Sequence, residues 1–265
     1  MGAMQLVTAY GTAIGATLAA LTPVVGDSLV VPNFDPAKKG QLLQAWATTQ
    51  AAGTGRIRST RMNDNVSGIR VRLLSGEQKP WLPWGVTERL YPNDTVNIDL
   101  AGSATAGDLE YVSMLQYFED IQGVNARFLS PDDVARRLDH ILTVENTLAT
   151  PTSGGYAASA AINATIDQFQ AGLEYAILGY RCDTKTHAIG YRSQAWGNLR
   201  IGGPGDPNDF DLYSNWFVRL SKEYGLNLIP VFNGTDKGAV LIDAVQDENG
   251  ADPVVTTYLA RLKPA

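Results

Sequence analysis

Cysteine occurs once in the 265 residues, at Cys182, and histidine twice, at His140 and His187. A single thiol excludes an intramolecular disulfide framework, so burial and hydrogen bonding must hold the fold. That suits assembly in a reducing cytosol. Charge is missing altogether from the start of the chain: no Lys, Arg, Asp or Glu stands between Met1 and Asp27. A secretory signal wants a cationic start, which is lacking, and Thr, Gly and Tyr interrupt the run too often for a membrane span. Excess positive charge is lacking too. A net charge of -6 and a pI near 4.9 argue against a protein that wraps phosphate backbones. Hydrophobic residues make up 45% and charged residues 18%, which fits a folded soluble protein rather than a disordered chain or a channel.

What is present is repetition. Gln50-Ala51-Ala52-Gly53-Thr54-Gly55-Arg56-Ile57 returns as Gln194-Ala195-Trp196-Gly197-Asn198-Leu199-Arg200-Ile201. At the same spacing, about 144 residues, Val96, Ile98, Asp99, Asp108 and Leu115 fall on Val240, Ile242, Asp243, Asp252 and Leu259. The period is too long for a solenoid and suits a small domain with its own core. Two copies of one folding unit are expected.

Residues 1–27 read as an apolar N-terminal arm, with Leu6, Tyr10, Ile14, Leu18 and Leu21 at helical spacing. Such an arm packs on its own protein or a neighbouring subunit; contact with a lipid surface is the sharper alternative, and without cationic side chains it would be modest. Residues 28–129 read as the first sandwich: a strand over 28–31, a short helix from Asp35-Pro36 to Thr49, a hairpin over 55–74 around Asn63-Asp64-Asn65, and strands at 96–100 and 109–118. Trp81-Leu82-Pro83-Trp84-Gly85 reads as a loop, since proline donates nothing to a ladder. Residues 130–155 read as a connector: a helix started by Ser130-Pro131-Asp132-Asp133 and running to about Leu148, then the linker Thr150-Pro151-Thr152-Ser153-Gly154-Gly155. Residues 156–265 read as a second sandwich, with strands at 162–166, 174–182, 188–191, 198–201, 216–220, 226–232, 239–245 and 254–262. Eight strands between Gly-, Asp- and Asn-rich turns suit an antiparallel jelly roll.

Chemistry is harder to find. His140 falls on the connector helix as a solvated or capping side chain. Cys182 and His187 flank a polar turn that supplies no orienting group or oxyanion hole for a cysteine nucleophile. The oxygen-rich runs 206–211 and 247–252 suggest calcium, yet the first lacks the glycine and distal glutamate of a calcium loop, and turn chemistry accounts for both. Gly202-Gly203-Pro204-Gly205 lacks the Lys-Ser/Thr of a phosphate loop, and Glu110, Glu119 and Asp120 have no spacing readable as a glycosidase pair. The cluster Arg56, Arg58, Arg61, Arg70 and Arg72 reads as a solvated sheet face rather than a nucleic-acid site. No catalytic residue, cofactor, metal or small-molecule substrate is assigned. The rival reading is a carbohydrate-binding module in which Trp81, Trp84, Trp216 and Tyr213 stack on sugar rings.

Two sandwiches in tandem, with the Gln-Ala…Gly…Arg-Ile repeat and the paired Val-x-Ile-Asp strands at 96–99 and 240–243, resemble the double jelly-roll major capsid proteins of tail-less icosahedral viruses. The resemblance implies an all-β fold of two eight-stranded rolls and a homotrimer whose six rolls form a pseudo-hexagonal tile. It also implies contacts with neighbouring trimers and other virion proteins, apolar contact of the arm with an internal membrane, and assembly in a host cytoplasm into a virion.

Overall fold

The computed structural model describes residues 2–76, 78–121, 124, 126–149, 154–183, 186–205, 213–246 and 252–264. The first part of the chain supplies β1 (Ala3–Thr12), β2 (Ala19–Ala20), β3 (Thr22–Pro23), β4 (Gly40–Thr48), β5 (Gly53–Arg58), β6 (Ile69–Leu73), β7 (Glu88–Arg89), β8 (Asn97–Ala101) and β9 (Leu109–Phe118). They form two antiparallel sheets, ordered β3-β1-β9-β4-β7 and β2-β8-β5-β6. The second part supplies β10 (Phe128–Leu129), the helix α1 (Pro131–Arg137), β11 (Leu138–Thr147), β12 (Ala160–Ala161), β13 (Glu174–Cys182), β14 (Thr186–Arg192) and β15 (Arg200–Pro204). The helix α2 (Trp216–Tyr224), β16 (Ile229–Asn233), β17 (Leu241–Gln246) and β18 (Val254–Leu262) complete it. Its sheets run β10-β16-β13-β18-β11 and β12-β17-β14-β15.

Set side by side, the orders agree. β1, β2, β4, β5, β6, β7, β8 and β9 occupy the places that β11 to β18 occupy in sequence, and β3 and β10 are short additions at sheet edges. Each half is a jelly roll of the same strand order. The repeat read from sequence is sound at Ile98-Asp99 and Ile242-Asp243, which lie on β8 and β17. It slips elsewhere. The Gln50–Ile57 match sets β5 against β15, whereas the counterpart of β5 is β14. Leu115 and Leu259 are one residue out of step: Ser113, two before Leu115, reaches across to His187 of the second roll, while Thr257, two before Leu259, bonds Tyr191 inside that roll. Single-residue slips reverse the face of every strand residue.

Several elements differ from expectation, and burial explains most of them. The N-terminal arm, residues 1–27, contains strand β1, paired along its whole length with β9, and the short strands β2 and β3. Ala3, Val7 and Ala9 enter the first roll's core while Met4 and Leu6 face the second roll. A strand covered on both faces shows no polar alternation, so Leu6 and Tyr10 fall four residues apart by accident. No helix among the described residues is long and apolar enough to cross a membrane, and β1 is not free to touch lipid. The helix expected over 35–49 is a turn closed by Asp35, whose side chain accepts from Ala37 N at 2.9 Å, followed by β4, which is buried almost throughout.

The connector helix stops after seven residues. Ser130 caps it by accepting from Asp133 N, and the chain then becomes β11, an edge strand of the second roll. Residues 130–149 are therefore part of that roll, not a spacer, and sheet membership changes between Ile121 and Phe128. Of the expected linker, residues 150–153 lie outside the described residues. The strand expected at 216–220 is the start of α2, which buries Trp216, Phe217 and Leu220 and ends at Gly225 with φ 63°. There a left-handed C-cap favours glycine. The strand expected at 162–166 is reduced to Ala160–Ala161, and that at 198–201 is β15, which runs on to Pro204.

Candidate functional site at the seam between the rolls

The sheet containing β1, β9 and β4 is buried on both sides, and all ten residues of β9 are buried. Its far face meets β14, β15 and β17 of the second roll. Two kinds of contact fill this seam. Near α2 it is aromatic. Trp46 of β4 stands edge-on to Trp216 at 6.3 Å between centroids, and Trp216 in turn is edge-on to Trp84 at 5.8 Å. Trp46 also donates its indole N–H to the backbone oxygen of His187 at 3.1 Å. Arg219 lies over the Trp84 ring at 4.4 Å, and Tyr224 donates to the Leu43 carbonyl.

Away from α2 the seam is a continuous chain of hydrogen bonds. The His187 ring bonds Thr48 Oγ1 through Nδ1 at 2.9 Å and Ser113 Oγ through Nε2 at 2.8 Å, with Tyr111 stacked on it at 5.2 Å. Ser113 bonds Thr8 Oγ1 at 2.7 Å. Tyr156 donates its hydroxyl proton to Asp27 Oδ2 at 2.8 Å and lies 3.2 Å from Thr8 Oγ1, and Thr8 N donates to the same carboxylate oxygen at 2.7 Å. Asp27 Oδ1 then accepts from Arg200 Nη1 at 2.6 Å. Arg200 lies 3.5 Å over the Tyr156 ring and passes the chain to Asp243 at 2.8 Å, which Arg192 also reaches at 2.6 Å.

Backbone geometry makes room for this. A β-carbon at Gly190 would lie 2.6 Å from Arg200 Cγ, so the guanidinium can lie flat across β14 only because that position has no side chain. Burial alone would raise the Asp243 carboxyl, but hydrogen bonds from Arg192, Arg200 and Ser159 bring it below its usual range. Asp27 is raised by burial, against the downward pull of Arg200, Thr8 N and Tyr156. Removing charged groups from water costs several kcal/mol per ion unless partners restore the lost contacts; here each carboxylate oxygen has them.

His187 carries its own pH signature. Burial pushes its imidazole from the ordinary 6.5 down to about 3, and the groups that face it, Thr48 and Trp46 on β4 with Tyr111 and Ser113 on β9, include no carboxylate. The unfolded chain therefore binds a proton that the folded protein refuses. Its contribution to stability is complete above pH 6.5 and is lost as pH falls towards about 3, at up to about 1.4 kcal/mol per pH unit. Urea unfolding of the native protein and of His187→Gln should show it: between pH 7 and 5 the native midpoint is expected to fall more steeply. Equal slopes would mean that the ring is not held neutral.

The other residues singled out from sequence are dispersed. Cys182 bonds Thr186 Oγ1 at 3.2 Å and does not face the His187 ring, which is turned into the seam. His140 is exposed on β11, not on a helix. Glu110 is buried and accepts from Ser103 N at 2.7 Å; Glu119 accepts from Lys39 N. Gly202–Pro204 belong to β15. The acidic runs 206–211 and 247–251 lie outside the described residues. The four aromatics of the sugar-binding reading are occupied: Trp81 packs over Gly55, Trp84 and Trp216 hold the seam, and Tyr213 stacks on Tyr180 at 6.4 Å. Trp81, Trp216 and Tyr213 are buried, and Arg219 lies over the half-buried Trp84 ring. Sequence reasoning missed the seam itself, although Thr8 and Ser113 inside apolar strands, and Asp27 as the first charged residue, were its signals.

No protein-family model and no curated protein matches the chain. Solved structures do. The PBSX exported protein XepA is 10% identical, covering 98% of this chain and 86% of its own, with a TM-score of 0.26. The STIV MCP is 8% identical over 100% of this chain and 97% of its own, TM-score 0.24. The major capsid protein P2 from bacteriophage PM2 is 7% identical over 99% and 98%, TM-score 0.21. Viral major capsid proteins thus stand among its structural neighbours, and the fold assignment itself rests on the strand orders given above.

Proposed function

We propose that the chain is a structural subunit of a virion shell, a major capsid protein that assembles as a trimer of double jelly rolls. One observation carries the reading: two rolls of identical strand order are fused face to side through a buried seam. The face of the β1 sheet in the first roll rests on the β14–β15 sheet of the second, so the two rolls meet through unlike surfaces. Such a heterologous contact, repeated between copies, runs head to tail and closes when the rotation divides the circle. Three chains then set six similar rolls around one axis, a shape that tiles a hexagonal lattice while only three polypeptides are used. The partners are further copies of the chain and other shell proteins, and the location is the virion.

Size-exclusion chromatography with light scattering tests it. The expected mass is three times the 28.5 kDa of the chain, or a larger multiple of three. A monomer that persists to high concentration would contradict the proposal.

A further inference from the structure

On the second roll, Arg192 and Arg200 share Asp243, a cluster with one positive charge in excess. Asp27 of the first roll neutralises it across the seam. The first roll carries a similar cluster on its corresponding sheet, with both arginines on β5: Arg56 and Arg58 share Asp99 at 2.8 and 2.7 Å. Arg58 and Arg192 hold equivalent places on β5 and β14. Here no second carboxylate arrives. Among the described residues the remaining partners of this pair of arginines are neutral, the Val66 carbonyl and the backbone and side-chain oxygens of Asn65. Arg70 and Arg72, on the same face of β6, are exposed, as are Val66 and Leu74 at its rim.

The complement is also uncovered. On β1 the outward row Met4, Leu6, Thr8 is buried by the second roll. On its counterpart β11 the outward row Ile141, Thr143, Glu145 is exposed, with Leu138 beside it. Long exposed edge strands with apolar side chains are rare in isolated subunits because they invite association. A counterpart to Asp27 exists as well. Asp27 follows β2 and β3 and touches β1 at Thr8 N. Asp167 follows β12 at nearly the same interval, and its neighbour Gln168 reaches the Thr143 carbonyl on β11. Asp167 is exposed and paired with Lys237.

We infer that the outward face of β11 and β18 docks on the arginine face of β5, β6 and β8 of a second copy, with Glu145 and Asp167 answering its charge as Asp27 does within the chain. The inference rests on the trimer proposed above and names the surfaces that build it. Opposite charges across such a contact fix its register and speed its formation.

Charge reversal tests it, at positions exposed enough that the fold should persist. Trimer dissociation would be followed by light scattering on dilution, with the urea midpoint as a check on folding. Glu145→Lys with Asp167→Lys, and separately Arg70→Glu with Arg72→Glu, should each raise the dissociation constant about tenfold or more. All four changes in one chain should restore most of the affinity. A native trimer whose stability is unmoved by both pairs overturns this assignment of faces and leaves the trimer standing. Duplex DNA bound through the arginines overturns the assignment of faces, and a native chain that stays monomeric overturns both.

Discussion

Trp46→Ala is expected to destabilise the protein by about 3–5 kcal/mol, the range for emptying a buried tryptophan site. The residue is 1% exposed and lies between the rolls, not within one of them. Truncation removes the edge contact with Trp216 and leaves the His187 carbonyl without its indole donor. Since the aromatic group cannot be replaced from either side, the void sits where the two rolls are held together. Equilibrium urea unfolding should report the loss, and a separation of one transition into two would locate it at the seam. A change below about 1 kcal/mol, the size of an ordinary surface substitution, would mean that the seam contributes little.

Asp27→Ala should have an effect of the same order for a different reason. Its side chain is only 2% exposed and neutralises an arginine that is itself 12% exposed. Removing it leaves Arg200 and Arg192 to share the single carboxylate of Asp243, and breaking a buried ion pair from one side costs about 3–5 kcal/mol. Tyr156 OH and Thr8 N lose their acceptor at the same time. Asp27→Asn keeps an acceptor for Thr8 and Tyr156 while deleting the charge, so it should fall between alanine and the native protein. Because the pair is buried, raising salt should change the difference little. A loss that vanishes in high salt would place Asp27 at the surface.

Most strands of the two rolls were legible in the sequence, β9 among them although it is buried throughout, and β1 and β4 were not. The turn at Asn63–Asn65 separates β5 and β6 as read, and β9, β13 and β18 match the expected 109–118, 174–182 and 254–262. β1 and β4 were misread as helices because the seam buries the face that would otherwise be polar. α2 was misread as a strand because Trp216, Phe217 and Leu220 are packed by the second roll and the seam together. Tandem repetition was visible at Asp99 and Asp243, and these residues proved to be the centres of matching arginine clusters. The role of Asp27 was hidden because it depends on Arg200, which lies far along the chain and meets it only after both rolls have formed.

Electron micrographs of the purified assembly, averaged along its axis, test the central claim most directly. The account predicts a ring of six similar lobes with threefold symmetry, each pair of lobes being one chain. Isolated two-lobed particles, or a ring in which the lobes are not multiples of three pairs, would contradict it.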